Sequence, residues 1–198
     1  MLEVIFYSVL FSDILLLLGV TFSVAFPRYR IWPPPSKTSW QYWISWIFVT
    51  LSSVGVPIVG LLDWESLWPT NWVWFVVGGV LVSLSVVLIY WGIRALSFHQ
   101  SLGLKGKLIT TGPYKYTRNP QYLALILIYI SLILVTSSYL AFLTGSLLIL
   151  VYVLTPLSEE PWLTNLYGEE YLQYRNRVFR FFGFRSEEKE ESEIEEDR

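Results

Sequence analysis

Residues 121–157 read QYLALILIYISLILVTSSYLAFLTGSLLILVYVLTPL, two apolar runs divided by the polar Thr136-Ser137-Ser138. Each half holds about 16 residues, or ~24 Å at 1.5 Å per helical residue. A bilayer span takes about 20. The pattern therefore predicts a tight helical hairpin with thinned or shielded ends, or a re-entrant hairpin that does not cross. Upstream lie longer runs. Residues 4–26 are broken only by Asp13, residues 42–62 open on Tyr42-Trp43, and residues 72–97 carry one charge, Arg94. The first run has no basic leader and is too long for a cleavable signal peptide.

Composition agrees. The 198 residues are 54% hydrophobic and 15% charged, against about 25% charged in an ordinary soluble domain. A globule this small cannot bury so much apolar surface, and such a chain does not stay disordered. With no cysteine and one histidine, His99, thiolate chemistry and a metal centre are not expected. A net charge of −2 gives no reason to expect nucleic acid. The expected fold is an all-α integral membrane protein of about five transmembrane helices with a C-terminal cytoplasmic helical segment, in contact with membrane lipids.

Charge placement orients it. Arg28, Arg30 and Lys37 follow the first run. Arg94, Lys105, Lys107, Lys115 and Arg118 follow the third, and the remaining basic residues follow the fifth. The other two connections hold none, so five spans put all 14 basic residues on one side. The positive-inside rule makes that side cytoplasmic, with the N-terminus outside and the C-terminus inside. Trp40, Trp43, Trp64, Trp68, Trp72 and Trp74 stand at span ends as an interfacial belt. Pro33-Pro34-Pro35 reads as a stiff linker. Residues 1–97 form a three-span part. Residues 183–198 read as an acidic disordered tail.

Two polar segments are not explained by anchoring. In Leu104–Tyr122, LKGKLITTGPYKYTRNPQY, Gly112-Pro113 marks a turn and Asn119-Pro120 a helix start. A helix N-terminus suits an anion, and Arg118 beside it could add bidentate pairing; Tyr114, Tyr116 and Tyr122 surround the spot. In Ser158–Phe182, Ser158 reads as the cap of a helix beginning Glu159-Glu160-Pro161. After Gly168, Tyr171, Tyr174, Val178 and Phe181 form an amphipathic face, expected to lie on the membrane surface or fold back on the bundle. The short hairpin brings the two segments together.

At these segments the chain resembles the isoprenylcysteine carboxyl methyltransferase and phospholipid methyltransferase superfamily. The matching residues are Leu108-Ile109-Thr110, Gly112-Pro113-Tyr114 and Arg118-Asn119-Pro120-Gln121-Tyr122, then Glu159-Glu160, Leu163, Gly168, Tyr171 and Tyr174. The resemblance covers about residues 95–182. It implies methyl transfer from S-adenosylmethionine to a lipophilic acceptor (lipid headgroup, amine or carboxylate) at the cytoplasmic interface, with residues 98–182 as the catalytic region. It implies a cofactor pocket of Lys107, Leu108, Ile109, Tyr114, Asn119, Pro120, Gln121, Tyr122 and Glu159. Arg118 and Glu160 would be catalytic, orienting the acceptor or managing its proton. Asn119 stands where the family usually has histidine. Thr155 stands where the isoprenylcysteine branch has arginine, which disfavours a prenylcysteine carboxylate. The alternatives are a nicotinamide-dependent reductase, with Lys105, Lys107 and Lys115 meeting a 2′-phosphate, or a non-catalytic membrane interaction protein of the same fold.

Overall fold

The computed structural model describes residues 1–182; the acidic tail expected at 183–198 lies outside them. The described chain is helical, without strands. Its helices are α1 (Leu2–Ala25), α2 (Trp40–Leu62), α3 (Trp72–Leu96), α4 (Phe98–Ser101), α5 (Pro120–Thr136), α6 (Tyr139–Tyr167) and α7 (Glu169–Arg177). Single 3₁₀ turns lie at Pro27–Tyr29 and Gly112–Lys115. α1, α2, α3 and α6 are each long and apolar enough to cross a membrane, and α5 is a shorter apolar helix. This is a multi-pass membrane protein of about five spans.

Local chemistry sets the boundaries. Ser39 accepts from the Tyr42 N–H at the start of α2, and Asn71 accepts from the Val73 N–H at the start of α3. Between α5 and α6 the turn is two serines. Ser137 closes α5 in the left-handed conformation, at φ 51°, and the Ser138 hydroxyl caps α6 by accepting from the Ala141 N–H.

α6 packs on α1, α2 and α5, and α3 packs chiefly on α5. The interior cluster draws Val9, Leu16 and Val20 from α1, Val56 and Val59 from α2, Tyr129 from α5 and Leu148, Val151 and Tyr152 from α6. Between helices in lipid, close packing and hydrogen bonds replace the hydrophobic drive. Gly78 leaves room for Ser131, whose hydroxyl donates to the Gly78 carbonyl at 2.9 Å, and for Val135. Ser12 pairs with Ser52 at 2.9 Å across α1 and α2.

At the hairpin end, residues 63–70 wrap the serine turn. The Ser138 hydroxyl and the Leu140 N–H both donate to Asp63 Oδ2, at 2.6 and 3.0 Å. The Glu65 N–H donates to the Thr136 carbonyl and the Leu67 N–H to that of Ser137. These bonds satisfy carbonyls that the short α5 would leave open, so its end is shielded as expected.

One expectation fails. α6 does not stop at Leu157 for a new helix to start after Ser158; it runs unbroken for 29 residues through Pro156 and Pro161. Proline removes one donor and usually breaks a helix, but packed spans tolerate it among neighbouring helices. The carbonyls left without a helical donor are those of Tyr152 and Leu157, and the packing of α1, α2 and α5 around α6 holds the helix across them; the Thr155 hydroxyl bonds to the Val151 carbonyl, and Ser158 to that of Thr155 at 2.7 Å. The Ser158 hydroxyl is thereby turned into the helix and caps nothing.

Candidate active site

The site lies at the other end of α6, where three connections converge. The linker after α1 is pinned because the Ile31 and Trp32 N–H groups both donate to the Ser23 hydroxyl, at 2.9 and 3.1 Å. The segment after α4 is held by Tyr167, whose hydroxyl donates to the Gly106 carbonyl, and by Gln100, whose amide donates to that of Lys107. α7 folds back on the bundle and buries Tyr171 and Tyr174 against Tyr114, Leu108, Ile109 and Leu163. The Tyr174 hydroxyl donates to the Tyr114 carbonyl at 2.7 Å.

The two glutamates face different partners. Glu159 Oε1 accepts from the Tyr122 hydroxyl at 2.5 Å and from Trp32 Nε1 at 2.8 Å. Tyr122 stacks on Tyr152, and Tyr152 on Tyr129, with centroids 6.1 and 5.9 Å apart. Glu160 belongs to an ion cluster. Arg180 grips it with two bonds, Nε to Oε1 at 2.8 Å and Nη2 to Oε2 at 2.9 Å. Arg118 Nη1 lies 3.2 Å from the same Oε1 and 3.4 Å from the Tyr171 hydroxyl. The Arg118 side chain is only 9% exposed, and its Nε has no partner among the described residues.

Burial drives the Tyr171 hydroxyl up to about 12, although Arg118 beside it pulls the other way. Burial also raises Tyr114 and Tyr174 well above the ordinary tyrosine value. All three are neutral hydrogen-bonding groups near neutral pH. Hydrogen bonding to Glu160 holds the Arg180 guanidinium above its usual value.

Lys107, Leu108, Ile109, Tyr114, Arg118, Asn119, Gln121, Tyr122, Glu159 and Glu160 line one cavity of about 120 Å³. Pro120 is not in that lining; it is buried at the first position of α5. Asn119 precedes α5, but its side chain does not cap it; the amide donates to the Arg180 carbonyl at 3.0 Å. Arg118 does not stand free beside the helix end either, since Glu160 holds it. The expected anion seat is thus an ion cluster.

A second cavity of about 770 Å³ adjoins the first, with Ser101, Gln121 and Tyr122 in both walls. It is lined by apolar side chains of α1, α2, α5 and α6, by Trp32 and by Thr155. Sequence reasoning missed Trp32, which reaches Glu159 from 127 residues away, and Arg180, one of several arginines near α7. No sequence signal singles out either.

The family model described as phospholipid methyltransferase matches residues 73–170, from α3 to the start of α7. No curated protein and no solved structure matches the chain.

Proposed function

We propose that this chain, which belongs to the phospholipid methyltransferase family, moves a methyl group from S-adenosylmethionine to a lipophilic acceptor at the membrane interface. The observation that carries this reading is the meeting of a charged cavity and an apolar one at Gln121 and Tyr122. A polar methyl donor and a lipophilic acceptor need such a pair of adjoining chambers.

The residues of the smaller cavity suit that donor. Both bonds to Glu159 fall on Oε1, and Oε2 is left for the cofactor's ammonium. Lys107 faces its carboxylate, and tyrosine rings favour a sulfonium. Arg118 Nε offers a buried donor with no partner among the described residues. When bound, S-adenosylmethionine supplies an electrophilic methyl group; an acceptor lone pair forms the new bond as the C–S bond breaks, its electrons staying on sulfur. Tyr122 and Glu159 orient the reactants, and a proton that the acceptor sheds would pass to the Tyr122 oxygen as the hydroxyl's own proton moves along the existing bond to Glu159. The Arg118–Glu160 pair, braced by Arg180, lines the smaller cavity and fixes the donor end. In-line positioning in a water-poor site supplies most of the rate.

A volume of about 120 Å³ is small beside the roughly 300–1,000 Å³ of sites for drug-sized ligands. Binding the whole nucleoside therefore needs a wall of this cavity to move outward, and residues 97–111, held by the Tyr167 and Gln100 bonds, are the wall we propose. The run of basic residues favours a cytoplasmic position for this end of the bundle, and residues 98–182 are read as the catalytic region, with Trp32 added from the N-terminal part. The test is calorimetry with S-adenosylhomocysteine, in detergent and in lipid. Micromolar binding is expected, weakened by Glu159→Ala and Tyr122→Ala. Absence of binding in every medium overturns the reading.

A further inference from the structure

We infer that the acceptor is a neutral lipophile with no phosphodiester near the methylated atom. The inference deepens the methyl-transfer reading, since "acceptor" rests on it.

The first observation is a charge inventory. The 770 Å³ cavity reaches from Tyr122 to Ser53, and its lining contains no Asp, Glu, Lys, Arg or His among the described residues. A phosphodiester carries a full negative charge, and a buried anion without a partner is strongly disfavoured. At the junction, where a headgroup phosphate would lie, the shared residues Ser101, Gln121 and Tyr122 are all neutral.

The nearby cations lie outside the lining of the large cavity. Arg118 and Arg180 are both on Glu160. Arg30 stacks over Trp162, with its Nε donating to the Pro33 carbonyl. Lys107 lines the smaller cavity and not the larger one.

The second observation concerns what the wall does offer. Trp46 lines the large cavity, and its buried indole N–H has no partner among the described residues. Ser45 and Ser53 are also in the wall. Neutral donors of this kind suit an ester, ether or hydroxyl oxygen.

The test compares two single-chain lipids that differ by a phosphodiester, 1-palmitoylglycerol and 1-palmitoylglycero-3-phosphoglycerol. Each is added to the full chain in neutral detergent, and bound lipid is read by native mass spectrometry. The neutral lipid should be retained at least tenfold more strongly. Leu102→Lys, which puts a cation in the wall of the large cavity next to Ser101, should raise retention of the phosphate lipid several-fold and leave the neutral one within twofold. Leu125→Trp, which fills the cavity, should abolish retention of the neutral lipid while the protein still elutes as a single species.

Equal or stronger wild-type retention of the phosphate lipid overturns the inference. So does an unchanged ratio in Leu102→Lys, or neutral lipid persisting in Leu125→Trp. The comparison needs no methyl donor, so it stands apart from the calorimetry: silent S-adenosylhomocysteine titrations would sink the methyltransferase reading and leave the lipid result to be judged alone.

Discussion

The Tyr122 hydroxyl donates to Glu159 Oε1 at 2.5 Å, joining the start of α5 to the far part of α6 at the boundary between the two cavities. Hydrogen bonds to charged groups are worth about 1.5–3 kcal/mol. Tyr122→Phe should therefore weaken S-adenosylhomocysteine binding roughly tenfold by calorimetry. Glu159→Gln should weaken it further, because the neutral amide cannot pair with an ammonium. A Tyr122→Phe variant that binds like wild type would remove this contact from the cofactor site.

Trp32 supplies the second bond to the same oxygen, from a linker outside the matched residues 73–170. Trp32→Phe keeps a ring in the apolar wall and deletes only the N–H. The expected result is a loss of cofactor affinity within about tenfold with acceptor KM little changed. Trp32→Ala also opens the partition, so acceptor KM should rise as well. Equal effects of the two variants on both parameters would contradict this division.

The Glu160 cluster is read by a double-mutant cycle. Arg180 is 36% exposed, so solvent screening trims its share, and a coupling of about 1 kcal/mol is expected between Arg180→Met and Glu160→Gln in thermal unfolding. Arg180→Lys should rescue little, because an ammonium cannot reproduce the two-pronged contact. Glu160→Gln alone should be the worse single change, since it leaves Arg118 buried without its counter-charge.

Asp63 gives a pH signature. Burial pushes its carboxyl up, but the bonds from Ser138, Ser66 and the Leu140 N–H together outweigh this and hold it below the ordinary aspartate value. A depressed folded value means that its stabilisation is fully present above pH ~4. It is lost as pH falls through the lower folded value. The melting temperature of the wild type should thus drop toward pH 3 more steeply than that of Asp63→Asn, which starts lower by about 1 kcal/mol. Parallel curves would show that the clasp is not ionic.

Cofactor binding should also be visible in the backbone. If residues 97–111 open to admit the nucleoside, hydrogen exchange there should rise without ligand and fall on adding S-adenosylhomocysteine. The clasp at residues 63–70 should not change.

The spans were legible because long apolar runs have few other homes, and because the basic residues fall between them in a regular alternation. Most of the proposed pocket was legible too, since Leu108, Tyr114, Tyr122 and Glu159 lie in two polar segments beside a hairpin. The continuity of α6 was not. Pro156, Ser158 and Pro161 are each ordinary signs of a break, and it is the packing of neighbouring helices that keeps the rod intact. Trp32 was hidden for a different reason: its linker reads as a proline spacer, and its partner is set by how α1 and α6 pack. The meeting of Arg118 with Glu160 followed from the short hairpin, which brings the start of α5 beside the far part of α6. Asn119 was placed correctly along the chain but given the wrong role, because the Arg180 carbonyl reaches its amide only once the chain after α7 folds back.

The unbroken α6 makes the protein a ruler. Ser138, in the clasp, and Glu159, in the site, are joined by a single rod, and at 1.5 Å per residue the separation is ~31 Å. The hydrocarbon core of a bilayer is about 30 Å thick. With the clasp at one water boundary, the glutamates arrive at the other. A thicker bilayer would draw the carboxylates into hydrocarbon, and a thinner one would lift the mouth of the apolar cavity out of the lipid that must feed it. Turnover should therefore peak at one acyl-chain length and fall on both sides of it, which makes the bilayer's thickness a control on the enzyme.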